Sequence, residues 1–335
     1  MALKDPSLEL HFRGHRQSIS GLSFHPSTQK ICTSSLDNTV MIWNFKESMR
    51  SYKFLGHTDI VTCVNFSKSG HLLASSSRDR SIRLWVPKLN GGCKEFRAHT
   101  ATVRSVYFSP DETKLVTASD DKSVKVWAVN RNKFIASYTG HNNWVRCAKF
   151  SSQPHRLLIA SCSDDKTVKI FDQNSNQCIH SYPELHGLPN HIDWHPKSGY
   201  LGVALGHGTV KIYEIRMHKL IQHYRLHSGP VCQVTFHPDG NWMLTSSSDG
   251  TVKVLDLLEG RPIYTLTGHE GAVNCVGFSK DGEYFATGGA DKQLMVWKTN
   301  FNAVTDACAN EDDKSDTNGH NLTVMDTQWV PGSDD

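Results

Sequence analysis

A ring of seven four-stranded antiparallel blades, an all-β propeller, is the fold this 335-residue sequence predicts. Three observations predict it. The first is a ruler: His15, His57, His99 and His141 fall 42 residues apart, His227 follows after 86, two steps of 43, and His269 after another 42. Self-similarity at a period of about 40–45 residues marks stacked units, each too small to bury its apolar face alone. The second is a set of markers that travels with the histidines. Nine residues on stands Phe24, Phe66, Phe108, Phe150, Phe236 or Phe278; then comes Asp37, Asp79, Asp121, Asp165, Asp249 or Asp291, and six residues later Trp43, Trp85, Trp127, Phe171, Leu255 or Trp297. The third is texture: between the markers, apolar or alternating runs of four to seven residues, such as Val61–Phe66 and Ser123–Trp127, have the period of strands and are too short for helices.

The elements follow in chain order. The opening Leu8-Glu9-Leu10-His11-Phe12 matches the segment before each later histidine, such as Tyr52–Leu55 and Ile263–Leu266, whereas the chain leaves its last repeat at Trp297 without one. The N-terminal strand is therefore expected to complete the last blade and close the circle, which leaves no open edge. Each repeat Phe leads into turn chemistry, as in His25-Pro26, Ser109-Pro110-Asp111 and His237-Pro238-Asp239-Gly240. Residues 8–301 make 294 positions, seven times 42, so residues 1–301 are read as one propeller domain and 302–335 as a tail. A single core of that size would be unusual, but each blade packs only on its neighbours.

These residues carry a family resemblance. Gly14-His15, Gly56-His57, Gly140-His141 and Gly268-His269, with Ala98-His99 and Leu226-His227 as looser copies, resemble the opening of WD40 repeats. The closing Trp-Asp pair is never intact, so spacing carries the assignment. The resemblance implies that each His bonds the turn Asp and a Ser or Thr four residues before it, and that this hydroxyl bonds the Trp indole. The expected structural sets are His15, Thr33, Asp37, Trp43; His57, Ser75, Asp79, Trp85; His99, Thr117, Asp121, Trp127; His141, Ser161, Asp165; His227, Thr245, Asp249; and His269, Thr287, Asp291, Trp297. A buried polar chain holds only if every member is partnered, an orphan costing about 1–3 kcal/mol. Repeat five loses every member together: Leu185 stands at the His position, Val203 at the Ser/Thr position, His207 for the Asp, and Tyr213-Glu214 for Trp-Asp. Ser/Thr, His and Asp also resemble a hydrolase triad, but a catalytic triad is a single site with an exposed nucleophile, and this trio recurs six times.

The WD40 resemblance also locates the mouth of the central channel, three and five residues after the His and one before the Asp. Those positions give Arg78, Thr102, Arg104, Asp120, Trp144, Arg146 and Asp164 on blades two to four, against mostly small or apolar groups on blades six, seven and one. Three Arg and a Trp on one arc have the composition of a binding hot spot. Equally, each Arg could pair with a neighbouring Asp across blades and staple the ring.

More specific segments narrow the family. Ala98-His99-Thr100-Ala101-Thr102-Val103-Arg104-Ser105-Val106, Asn143-Trp144-Val145-Arg146-Cys147-Ala148-Lys149-Phe150 and Leu255-Asp256-Leu257-Leu258-Glu259-Gly260-Arg261 resemble the proteome-of-centriole WD40 family, over about Asp5 to Phe301. That resemblance implies a non-catalytic scaffold of centrioles and basal bodies, needed for centriole stability and cilium formation, with centriolar or microtubule-associated proteins as partners. Its members usually carry a C-terminal coiled coil, whereas residues 302–335 show no heptads.

Composition bounds the rest. Nine cysteines, an odd number without a Cys-x-x-Cys pair, and the lack of an apolar leader or membrane-length run predict a protein inside the cell with packed, unpaired thiols, and the centriolar resemblance implies the cytoplasm and cytoskeleton, at the centriole, centrosome or cilium basal body. The 19 histidines show no metal-ligand spacing, so no metal, cofactor or small-molecule substrate is expected. Residues 302–335 hold eight acids against Lys314, or −7, which leaves the repeat region +10; the tail is expected to be disordered. Without a basic run or basic-aromatic motif, nucleic acid is not expected as a partner. An interaction scaffold is the favoured class, a cullin-type ubiquitin-ligase substrate receptor the second on the faint Tyr213-Glu214-Ile215-Arg216 echo, and an enzyme the last.

Overall fold

Neighbours on both sides dictate the inner strands. Ile19–Phe24, Val61–Phe66, Val145–Phe150 and Pro189–Trp194 bury both faces, as a strand flanked by blades must, while the outermost strands, such as Lys133–Tyr138, leave most residues in water. The computed structural model describes residues 5–45, 49–89, 91–152, 157–183 and 186–301, and Asp5–Thr299 form a compact unit. It contains seven four-stranded antiparallel sheets. Six are consecutive in sequence, the first being Ile19–Phe24, Lys30–Ser35, Val40–Asn44 and Tyr52–Phe54. The seventh joins Val273–Phe278, Tyr284–Gly289 and Gln293–Lys298 to the N-terminal Ser7–Arg13, with Leu10 opposite Val296 and Phe12 opposite Leu294. The circle is fastened where the sequence predicts.

The apolar core lies between blades. Ile192, Trp194 and Leu201 of blade five pack with Leu158, Ala160 and Cys162 of blade four in one buried cluster. Side chains of the inner strands add polar ties to the next blade: Ser23 accepts the Phe66 N–H at 3.1 Å, Asn65 that of Phe108 at 3.1 Å, Ser105 that of Ala148 at 3.1 Å, and Asp193 that of Phe236 at 3.1 Å. Cys63, Cys147 and Cys275 are buried and unpaired, and burial raises their thiols, that of Cys147 to about 11, so they pack as small apolar groups.

The polar sets have closed geometry. His15 lies 3.1 Å from Asp37 and 2.7 Å from Thr33, whose hydroxyl accepts from Trp43 at 2.8 Å. His57 lies 2.7 Å from both Asp79 and Ser75, with Trp85 donating to Ser75 at 2.9 Å. His99 is 2.8 Å from Asp121 and from Thr117, and Trp127 reaches Thr117 at 3.1 Å. His141 binds Asp165 at 2.8 Å and Ser161 at 2.7 Å; His227 binds Asp249 at 3.1 Å and Thr245 at 2.9 Å. His269 binds Asp291 at 2.9 Å and Thr287 at 2.8 Å, with Trp297 donating at 3.2 Å. In every set Nδ1 faces the carboxylate and Nε2 the hydroxyl, so a neutral ring with its proton on Nδ1 satisfies the chain.

Blade five replaces this chain with apolar packing. Val203 is fully buried, the Tyr213 ring packs at a tilt against Tyr182 with centres 4.5 Å apart, and His207 binds Thr209 at 3.0 Å. Leu185, at the histidine position, and the acidic segment 302–335 lie outside the described residues.

Candidate channel-mouth interface

One bulge per blade aims the channel residues. Between the first and second strands of all seven sheets the register slips by one residue, and the unpaired residues are Ser20, Thr62, Arg104, Arg146, Asn190, Cys232 and Asn274. These stand five after the repeat histidine, or after Leu185 at its place in blade five, and they lie in the wall of the channel. A bulge re-aims its side chain out of the pleat. In blades one, two, five and seven the side chain reaches the next blade: Ser20 donates to the Val61 carbonyl at 2.5 Å, Thr62 to Val103 at 2.6 Å, Asn190 to Val231 at 2.8 Å, and Asn274 to Ile19 at 2.8 Å.

Blades three and four depart from this pattern. Arg104 turns back to its own blade and grips Asp120 through Nε at 2.7 Å and Nη2 at 3.0 Å. Arg146 does the same with Asp164, at 2.7 and 2.9 Å, a fork that raises its guanidinium pKa above the usual arginine value. Each fork closes inside one blade, so the alternative in which these arginines staple neighbouring blades is corrected by the geometry. A long, forked side chain matches a carboxylate in its own turn better than the single carbonyl that a short hydroxyl or amide can reach.

The resulting surface is polarised but balanced in charge. Arg104 lies over the Trp144 ring, 5.4 Å from its centre, so the guanidinium sits against a carboxylate and an aromatic face. Trp144 remains 45% exposed, an unusual state for an indole held by a cation. The Arg104 and Arg146 side chains are 30% exposed and keep N–H groups beyond those used in the forks. Arg78 is more open, its nearest acid being Asp59 at 3.8 Å. Thr102 and Asp120 complete the wall of a cavity of about 850 Å³, whereas Asp164 supports Arg146. Tyr107 and His191 also line this cavity and bond at 3.2 Å, and behind them Lys149, over the Tyr107 ring, pairs with Asp193 at 2.9 Å. Residue spacing does not reveal this inner set, because its members come from three different blades.

The six Ser/Thr–His–Asp sets cannot act as nucleophilic triads. Thr33, Ser75, Thr117, Ser161, Thr245 and Thr287 are all fully buried, so no substrate reaches their oxygens. Among the described residues no group of three His, Cys, Asp or Glu is placed to hold a metal ion.

Comparison with known proteins agrees with this architecture. A family model described as WD domain, G-beta repeat, matches residues 6–44, 48–86, 92–128, 132–172, 218–256 and 260–298, more than half of the chain, and leaves the first three strands of blade five, Pro189–Trp194, Tyr200–Leu205 and Thr209–Glu214, unmatched. A model of the anaphase-promoting complex subunit 4 WD40 domain matches 153–236. POC1 centriolar protein homolog A of Xenopus tropicalis is 55% identical over 50 residues, 15% of this chain and 11% of that protein. POC1 centriolar protein homolog B of Xenopus laevis is 52% identical over 52 residues, 16% and 11% of the two chains. POC1 centriolar protein homolog of Drosophila melanogaster is 48% identical over 47 residues, 14% and 12% of the two chains. In each case the match spans about an eighth or less of the relative's length.

Proposed function

The chain belongs to the WD40-repeat family, and from that premise we propose that it is a non-catalytic protein-interaction scaffold of centrioles and basal bodies, supporting centriole stability and cilium assembly. The centriolar assignment draws support from the identity to proteins named for the centriole, although that identity covers one short stretch. The scaffold assignment rests on one observation: Arg104 and Arg146 occupy bulge positions whose counterparts in four other blades tie the ring together, and they make no such tie. A side chain released from architecture, held rigid by a carboxylate and set beside a half-exposed Trp144, is preorganised for a partner. The proposed contact residues are Arg78, Thr102, Arg104, Trp144 and Arg146, with Asp120 and Asp164 holding the two arginines in place.

The test is the double variant Arg104→Glu, Arg146→Glu. Circular dichroism is expected to be unchanged, because neither residue ties blades, while co-precipitation of centriolar or tubulin-associated proteins is lost. Binding by the truncation of a hot-spot residue falls by at least about 2 kcal/mol, roughly thirtyfold. Undiminished capture would remove the channel mouth from the interface. Recovery of a cullin-ligase adaptor instead would favour the substrate-receptor reading.

A further inference from the structure

Blade five differs from its neighbours in charge as well as in its missing polar set. In blades three, four and six the third strand carries Lys125, Lys169 or Lys253 opposite Ser137, Ser181 or Thr265 of the outer strand, and an aspartate occupies the preceding turn. In blade five the same lysine, Lys211, stands opposite His223, and Thr209 stands opposite Arg225, where blade six has Thr251 opposite Thr267. The turn aspartate is replaced by His207. One carboxylate has gone, and a guanidinium and two imidazoles have arrived.

These groups share a face. Residues 209 and 211, like 223 and 225, point to one side of their strands, and directly opposite positions lie about 4.5–5.5 Å apart. Lys211 is only 9% exposed, and among the described residues neither it nor Arg225 joins an ion pair. Glu214 sits at the far end of the strand, opposite Lys219, and alternates to the other face. Burial, reinforced by Lys211 and Arg225, holds the imidazoles of His207 and His223 below their ordinary range. A buried cation without a counter-charge is costly, and among the described residues no carboxylate pairs with it.

We infer that this face of blade five is a phosphate-monoester site, in which Lys211 and Arg225 supply charge and His223 a ring N–H to one tetrahedral dianion. A guanidinium fork beside an ammonium group suits the several oxygens of a phosphoryl group. The donors converge over two adjacent strands, a footprint for one anion and not for the successive charges of a nucleic acid. The ligand is a free phosphate monoester or the phosphorylated side chain of a partner, and the inference does not depend on the scaffold reading.

Calorimetric titration of the whole chain at neutral pH and fixed chloride, with inorganic phosphate and separately with O-phosphoserine, tests the site. One equivalent is expected to bind, and Arg225→Gln to weaken it at least about tenfold, the equivalent of one charge-assisted hydrogen bond. His223 and Arg225 lie on the exposed outer strand, so His223→Ala and Arg225→Gln are expected to keep the wild-type circular dichroism. Phosphoserine binding at least as tightly as phosphate shows that the site takes a monoester, the group a phosphorylated side chain carries; binding of phosphate with phosphoserine excluded would overturn the inference. No saturable binding of either probe, or equal binding by Arg225→Gln, would overturn the inference.

Discussion

His15, His99, His141 and His227 are kept neutral first by burial, against the pull of Asp37, Asp121, Asp165 and Asp249, and their pKa values fall below 6.5. The unfolded chain therefore takes up protons that the folded chain refuses as pH drops through about 6.5. The carboxylates titrate later. Burial pushes the Asp249 carboxyl up, but the Thr251 hydroxyl, its N–H and His227 bring it down to about 2, so its stabilisation is complete above about pH 4 and lost towards pH 2. The expected outcome is a melting temperature that is flat above neutrality and already declines between pH 6.5 and 5, read by circular dichroism. A decline confined to pH below about 4 would assign the loss to carboxylates alone. The partners in these sets are legible from spacing, because in five sets the hydroxyl and the Asp stand 18 and 22 residues after the histidine, and in blade four both shift together, to 20 and 24. The behaviour of Arg104 and Arg146 is not, since an arginine five residues after the histidine could reach either the next blade or its own turn, and only the bulge geometry decides.

Tight turns show the same limit at the level of the element. The residue after each turn aspartate, or after His207 in blade five, has a left-handed backbone: Asn38, Arg80, Lys122, Lys166, Gly208, Gly250 and Lys292. Gly and Asn announce such a turn in the sequence, but arginine and lysine do not, because their β-carbons oppose it. Replacing Lys122 by Gly is expected to stabilise the protein by about 0.5–1 kcal/mol, seen as a higher denaturation midpoint in urea. An unchanged or lower midpoint would show that the long side chain contributes more than its backbone strain removes. Blade five was legible as a loss of four markers, but not as a gain of charge. Its register slips between Ile212 and Tyr213, leaving Ile221 unpaired, and only that slip sets Lys211 opposite His223. Counting along an unbroken ladder would place Gln222 there instead.

The ring as a whole was the most legible feature, since seven repeats and one orphan strand admit few other arrangements. Its weak point is equally plain. Removing residues 1–13 strips Ser7–Arg13 from Gln293–Lys298 and exposes a strand whose Leu294 and Val296 are fully buried in the intact ring. Such an edge is a template for pairing with another chain. Size-exclusion chromatography of the shortened protein is expected to show larger oligomers or aggregate in place of the species the intact chain forms. An unchanged species with the parental melting temperature would show that the seventh blade stands on three strands.

The same fastening sets an order for biosynthesis. Blades one to six are contiguous in the chain and can pair as they leave the ribosome, but Ser7–Arg13 must wait through nearly 280 further residues for Gln293–Lys298. For that interval Leu10 and Phe12 lack Val296 and Leu294, their partners across the last blade, while Trp43 of blade one, 5.3 Å from Phe12 between ring centres, is made early; the strand pairing that closes the ring is the most non-local among the described residues. Gln293–Lys298 must emerge before the wheel can close, and the nascent chain carries its clasp open until then.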